Sequence, residues 1–476
     1  MADLIIWNSF CRPWEFSNSI VAPISVVRPV GPHQLASWLS HFGYNVKVID
    51  FSAGMTTQQL IDITEKFIDK DTVAIGASTT FWNDGTPVDY SEPSWALNAR
   101  STIEQRYPNI EWILGGPNVI NPQYHLGIYR KKWRKFIGLA EDSLLKYMDE
   151  KTSKTITRRS FDIKLLDKHF VDQNGITKHE VLPMELARGC QFKCSFCRWG
   201  MIGKKKGTYI RSAESIEQEL LMNFERFGTT RYYFIEDTVN ESIEKMETLA
   251  EIASRLPFKL EWVGYNRLDL VWSRPNNIEL MQQTGLRSAY FGIESFHPKA
   301  SMSVGKGWNG KYAKDFLLEL KDRWEGKITW QTSMIVGLPK EDEQSIDSSQ
   351  RWFIDNKMPS WLWSGLEISK NPDISHPSEF DREYEKFGYM FPNKSDDNYW
   401  VNQHWNRKTA LDKAMQLNVE LREYDKVNTW AMGELASVGY EFDDLIHLLK
   451  KDVDTAEFER RSREKIDNYV KYQLNL

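Results

Sequence analysis

Short apolar runs alternate with amphipathic stretches through the first 150 residues of the chain. Leu4-Ile5-Ile6-Trp7 reads as a strand, and a long loop through Pro13, Pro23 and Pro29 follows it. Beyond Gly31-Pro32, the residues Leu35, Trp38, Leu39 and Phe42 recur at helical spacing until Gly43 stops the helix. A strand over Asn45 to Asp50, a helix marked by Leu60, Ile63 and Phe67, and a strand over Thr72 to Ala77 come next. A helix near Trp95 to Tyr107, the strand Glu111 to Leu114 ending in Gly115-Gly116, and a last strand near Phe136-Ile137 complete the unit. Strands alternating with helices predict a doubly wound parallel sheet. Ligands of such sheets lie outside the carboxyl ends of the strands. Those ends are Cys11 to Gly31, Ser78-Thr79-Thr80 and Gly115-Gly116-Pro117.

Residues 151–178 are polar and charged, with a turn signal at Asn174-Gly175, and read as a linker. From 179 the alternation restarts. Strands are expected over Val181 to Leu186, Arg231 to Ile235, Leu260 to Tyr265, Arg287 to Ser295, Ile328 to Pro339 and Trp361 to Glu367. Six such units predict an open (β/α)6 barrel over 179–372, with functional loops at the carboxyl ends of its strands. After Pro372 the pattern turns helical, with Leu411, Met415 and Val419, then Leu445, Leu448 and Leu449. Residues 373–476 therefore read as a mainly helical cap, in which Tyr399, Trp400, Trp405 and Trp430 are either pocket lining or plain core.

Composition narrows the class. A length of 476 residues with 41% hydrophobic and 13% aromatic residues is ample for several cores. No run approaches the ~18 apolar residues of a membrane span, and no charged leader precedes the first strand, so a soluble, cytoplasmic protein is expected. The net charge is −5, from 61 basic and 66 acidic residues. The basic clusters Arg130 to Lys135 and Lys204 to Lys206 therefore read as solvated surface, and neither a nucleic-acid nor a membrane partner is expected.

Three of the four cysteines, Cys190, Cys194 and Cys197, fall within eight positions at Cys-x3-Cys-x2-Cys spacing, with Phe196 before the third. Crowded thiolates ask for a soft cation: zinc, copper(I) or an iron–sulfur cluster. Closed zinc and iron–sulfur sites use four ligands. The remaining cysteine, Cys11, lies in the other unit, so a zinc knuckle would need His179 or a more distant histidine.

With this spacing the stretch Glu185 to Gly200 resembles the signature of the radical S-adenosylmethionine (SAM) enzymes. The resemblance implies that Cys190, Cys194 and Cys197 hold a [4Fe–4S] cluster whose open iron is chelated by SAM, giving a 5′-deoxyadenosyl radical. It also implies roles at later strand ends. Glu236-Asp237-Thr238 would grip the SAM amino group, Arg267 its carboxylate, Glu294 and Ser295 the ribose, and Ile335 and Gly337 the adenine side; Lys306 fits the pattern without an assigned role.

Pro29-x-Gly31, Gly43 before Val46 and Asp50, Gly115-Gly116-Pro117 and Gly138-x-x-Glu141 resemble the subgroup with an N-terminal, Rossmann-like cobalamin-binding domain, here 1–150. Ser78, Thr79, Gly115 and Gly116 would then contact cobalamin, since glycine lets backbone approach a flat ligand. Asn8 to Pro13 lacks the axial histidine motif of B12 mutases. Cys11 and His33 are conceivable neighbours of the lower cobalt face, or simply a buried thiol and a helix-start histidine.

The function expected from this resemblance is cobalamin-dependent methylation of an unactivated carbon in a small-molecule or peptide substrate. An electron donor such as flavodoxin or ferredoxin would be needed. A radical rearrangement, cyclisation or oxidation by a chain that has lost cobalamin is the enzymatic alternative, and a cobalamin carrier or sensor is the non-enzymatic one.

Overall fold

The computed structural model describes residues 1–9, 26–79, 94–116, 119, 133–152, 160–198, 209–274, 276–306, 310–372, 377–393, 395–421 and 423–476. Cys11 and the Lys204 to Lys206 cluster lie outside them. Two parallel sheets organise the chain. The first contains β1 (Leu4–Trp7), β2 (Val46–Ile49), β3 (Ala74–Ser78), β4 (Glu111–Gly115) and β5 (Arg134–Lys135) in the order β2-β1-β3-β4-β5. The order reverses between β1 and β3, the kind of junction at which open α/β sheets bind their ligands. The last strand lies two residues before its expected place: Phe136 is buried, but Ile137 points to solvent. The helix Val30–Ser40 packs Trp38 and Leu39 on one face of the sheet, while Thr57–Phe67 packs Leu60, Ile61 and Ile63 on the other.

The second sheet runs in chain order through β6 (Val181–Met184), β7 (Arg231–Phe234), β8 (Glu261–Asn266), β9 (Leu286–Glu294), β10 (Thr329–Val336) and β11 (Trp361–Gly365). Among the described residues, nothing pairs β6 with β11, so the barrel is open. Pro183 can sit inside β6 because that strand is an edge, where a missing N–H costs no ladder bond. The helix Thr429–Ala436 seals the inner face. Ala431, Met432 and Leu435 pack with Val181, Tyr233 and Val263, and Thr429 Oγ1 donates to the Ala289 carbonyl at 3.2 Å.

Two segments depart from the expected organisation. The stretch entering the barrel is a pinned strap: Phe170 and Ile176 lie in the barrel core, and His169 Nδ1 is 2.9 Å from Glu219. The final helix, Thr455–Asn475, does more than cap the barrel. Phe458 packs with the barrel-sealing helix, whereas Ile466, Tyr469 and Val470 enter the core of the first sheet. Among the described residues, no helix is long and apolar enough to cross a membrane.

A buried ion cluster joins these parts. Arg28 Nη1 donates to Asp50 at 2.6 Å, and Arg28 Nε and Nη2 grip Glu180 at 2.7 and 3.0 Å. His33 Nε2 lies 2.9 Å from Asp50, and Asn8 and Asn174 also donate to that carboxylate. From the last helix, Lys465 reaches Glu180 at 3.4 Å, and the Tyr469 hydroxyl accepts from the Asp50 amide at 2.9 Å. Asn174 and Gly175 both adopt positive φ, and a side chain on Gly175 would start 3.2 Å from the Tyr469 ring. Burial alone would raise the Asp50 carboxyl, but His33 and Arg28 outweigh it and hold it at about 2. Burial pushes the Lys465 ammonium down to about 8.

Removing Arg28 leaves two carboxylates buried without their main partner. Arg28→Met should therefore cost about 3–5 kcal/mol, read from the urea midpoint. The sign of the pH dependence follows from Asp50. Its folded value lies below the ordinary 3.8, so its contribution of about 2 kcal/mol is full above that value and is lost as pH falls through 2. Asp50→Asn should flatten the acid limb of stability against pH.

Candidate functional site

The cysteine loop leaves the carboxyl end of β6 and is moored on every side. Ala187 pairs with Ile210 in an antiparallel bridge, the Arg188 amide donates to the Tyr209 carbonyl, and the Arg211 amide donates to the Leu186 carbonyl. Gly189, at φ 84°, takes the turn before Cys190. The Gln191 side chain donates to the Glu241 carbonyl at 2.6 Å, and the Ser195 amide donates to the Val304 carbonyl. Arg198 grips Asp381 through two bonds of 2.8 Å. Arg188 holds Glu185 bidentately and reaches Glu141 at 2.6 Å, which ties the loop to the first sheet's helix Glu141–Thr152.

The three thiols differ. Cys190 is buried, 3.3 Å from Thr238 Oγ1, and burial raises its thiol. A bound cation reverses that preference, because it stabilises the thiolate directly. Cys194 Sγ accepts from Arg267 Nη1 at 3.4 Å, and the Cys197 amide donates to the Cys194 carbonyl at 2.9 Å. Among the described residues, no three His, Cys, Asp or Glu side chains converge as they would around a single ion. His179 lies two residues before β6, at the opposite end of that strand from the cysteines, so it is out of reach as a fourth ligand on the same loop.

The residues at later strand ends gather into buried acid–base pairs. Glu236 pairs with Lys245, which also donates to Glu241 at 3.0 Å, and Tyr209 donates to Glu241. Among the described residues, Glu236 Oε1 is buried without a hydrogen-bond partner. Burial, only partly offset by Lys245, pushes the Glu236 carboxyl up to about 8. Burial, with Glu185 and Glu241 nearby, lifts Asp237 to about 6. An orphaned oxygen of this kind fits an incoming ammonium group. Arg267 is buried: it holds Asp269 through bonds of 3.0 and 2.7 Å, and its guanidinium lies 4.1 Å from the Phe192 ring centre. Its pairing with Asp269 and its reach to Cys194 thus coexist.

Glu294 occupies the left-handed region at φ 69° and lies 3.3 Å from Lys306 Nζ, which donates to the Gly292 carbonyl at 2.8 Å. A side chain on Gly292 would begin 2.5 Å from Glu294 Oε1 and 3.2 Å from Lys306 Nζ, so it would displace this pair. Ser295 donates to the buried Glu341 at 2.7 Å, and burial pushes that carboxyl up to about 8. Ile335 belongs to the barrel core. Gly337 is pressed by the cap: a side chain would start 2.6 Å from Trp400, and its carbonyl accepts from Tyr389 and Asn402. Sequence reasoning passed over Lys245 and Glu241, although an acid and a base four apart beside a strand-end carboxylate were a legible signal.

At the first sheet, Thr79 spends its hydroxyl on the Gly115 carbonyl at 2.8 Å, which fixes the ends of β3 and β4 side by side, with Ser78 at the end of β3. Among the described residues, nothing lies within 4 Å of where a Gly115 side chain would begin, and Gly116 has φ 98°. His33 is engaged with Asp50 and with the Phe170 ring 4.6 Å away.

Comparison with known proteins agrees with this geometry. The Radical SAM superfamily profile matches residues 184–353. An uncharacterised methyltransferase of Pyrococcus horikoshii is 22% identical over 82% of this chain and 83% of its own length. The radical SAM methyltransferase TsrM from Kitasatospora setae, solved with cobalamin and a [4Fe–4S] cluster, superposes with a TM-score of 0.60. That match covers 98% of this chain and all of TsrM at 14% identity. OxsB, a cobalamin-dependent SAM radical enzyme solved with aqua-cobalamin and SAM, gives 0.58 over the whole of this chain and 80% of OxsB at 11% identity. The chain therefore carries a radical SAM domain and has the fold of cobalamin-dependent radical SAM enzymes.

Proposed function

We propose that this protein is a cobalamin-dependent radical SAM C-methyltransferase acting on an unactivated carbon of a small-molecule or peptide substrate. One observation carries the reading: a three-thiol loop at the mouth of an open parallel barrel shares its chain with a β2-β1-β3-β4-β5 sheet that ends β4 in the pair Gly115-Gly116. In this reading residues 1–150 are the cobalamin-binding unit, 179–372 the radical SAM barrel and 373–476 the mainly helical C-terminal unit, with 151–178 joining the first two. The proposed place of work is the cytoplasm.

When bound, the cluster and SAM supply an adenosyl radical by one-electron cleavage, and cobalamin supplies the methyl group. The chain's own residues position and screen. Cys190, Cys194 and Cys197 provide the thiolates, with Arg267 and Thr238 placed to donate to two of the sulfurs. Glu236 Oε1 is the acceptor proposed for the SAM ammonium, with Asp237 and Thr238 beside it. Lys245 keeps the second Glu236 oxygen occupied, so only one lone edge faces the ligand. Glu294 and Ser295 are proposed at the ribose, with Lys306 and Glu341 holding each of them in place. Ile335 and Gly337 are proposed behind the adenine, where Trp400 fixes the Gly337 turn. At the first sheet, Ser78, Thr79, Gly115 and Gly116 are proposed to line the cobalamin slot.

Anaerobic reconstitution should load about four irons and four sulfides per chain, and the Cys194→Ala variant should load far less. Turnover should release 5′-deoxyadenosine and S-adenosylhomocysteine in step with methylated product; deoxyadenosine alone would instead assign a non-methylating radical reaction. Glu236→Gln should weaken SAM binding to the cluster-loaded protein roughly tenfold by isothermal titration, because a charge-assisted bond is lost. Gly115→Trp should abolish co-purification of hydroxocobalamin, read from the visible spectrum. Equal retention in both proteins would remove the slot from this place.

A further inference from the structure

Beside the cysteine loop lies a surface that the proposed chemistry does not use. Gly305 lies against Lys193 and Cys194: a side chain there would start 3.7 Å from the Lys193 carbonyl oxygen and 4.0 Å from the Cys194 Cα. Met302, at the end of the same helix Pro298–Ser303, is 69% exposed. On the other side, Arg267 covers Phe192 of the loop and leads directly into the helix Leu268–Trp272. Trp272 and Tyr312 stack on each other at 5.9 Å while both remain about half exposed. Stacking without burial leaves both rings partly in water, on segments whose Arg267 donates to Cys194, an unusual outlay of apolar surface.

The charges around these rings have one dominant sign. Lys193, Lys299, Lys311 and Arg274 are exposed. Of the acids close by, Asp269 is taken by Arg267 and Glu279 by Arg323. Asp315 is exposed too, and Glu244 shares a cleft with Arg274. In a chain of net charge −5, Lys311 adjoins Tyr312, Arg274 follows Trp272 by two residues, Lys299 shares the helix of Met302, and Lys193 precedes Cys194. Apolar centre, basic rim and proximity to a redox group together describe a docking face for an acidic partner.

We propose that Trp272, Met302 and Tyr312, ringed by Lys193, Arg274, Lys299 and Lys311, form the docking face for a small acidic one-electron carrier protein that reduces the cluster. The inference rests on the reading of Cys190, Cys194 and Cys197 as cluster ligands. In the step it serves, the carrier is oxidised by one electron and the cluster is reduced by one, with no atom transferred. Arg267 and Gly305, at the ends of the segments that carry Trp272 and Met302, both approach Cys194, so the electron enters there.

An acidic flavodoxin is the probe. Its affinity for the cluster-loaded and the cluster-free protein is read by isothermal titration at low and high salt, and the reduction rate by stopped flow. Lys299→Glu/Lys311→Glu, off the cysteine loop, should weaken flavodoxin binding and slow its reduction of the cluster roughly tenfold, with a shallower salt dependence. Reduction by dithionite should be unchanged, and Lys471→Glu on the final helix should bind like the parent. Trp272→Ala/Tyr312→Ala should weaken binding at high salt as well, and both rings should be shielded from hydroxyl-radical footprinting in the complex. Parental affinity in both double variants, or rings left unshielded, would overturn the face. A parent protein that takes up no cluster yet binds flavodoxin here would fail the reading of the site and leave the face standing.

Discussion

Asp50 and Glu180 are buried against one guanidinium, and every large part of the chain sends a group to that cluster. Arg28, His33 and Asp50 come from the first unit, Asn174 and Glu180 from the strap and the approach to β6, and Lys465 and Tyr469 from the last helix. Charges removed from water are tolerated only with close, well-aimed partners, so the penalty for separating any one element from the others is large. Such a cluster adds little to stability compared with a well-packed apolar core. What it gives is a fixed relation between two parallel sheets, which apolar surfaces alone would leave free to slide.

That fixed relation is what the proposed chemistry needs. Arg188, two residues before Cys190, is held by Glu185 at the end of β6 and by Glu141 from the first unit, so the cysteine loop takes its position from both sheets at once. Within the barrel mouth the acids are neutralised in pairs, Glu236 with Lys245 and Glu294 with Lys306. Each pair leaves acceptor capacity at the strand end while keeping the carboxylate from collapsing onto a neighbour. Burial outweighs these partners and raises both carboxyls, which prepares them for a ligand that brings its own positive charge or hydroxyl donors.

The aromatic residues divide between packing and surface. Trp400 fills the space above Gly337, Trp405 donates to the Glu341 carbonyl, and Trp430 stacks on Tyr233 inside the barrel at 4.9 Å. These three act through what they support: the turn after β10, the Glu341 side of Ser295, and the floor of the lumen. Trp272 and Tyr312 hold each other and are half exposed, which separates them from the core aromatics by environment and not by residue type.

Local periodicity determined most of the two sheets from sequence alone, because a parallel strand buried on both faces must be a short apolar run and its crossover must be amphipathic. It also determined the cysteine trio, since that spacing resides in one loop. The short β5 was misplaced by two residues, as two paired residues carry almost no pattern. What the tertiary structure decided are the long-range partners: Glu180 for Arg28, Glu141 for Arg188, Asp50 for His33 and Trp400 for Gly337. It also decided that the final helix crosses back to the first sheet, with Tyr469 reaching Asp50 across 419 positions of sequence. Such pairings are chosen by where burial brings two groups together, and no window of neighbouring residues contains that information.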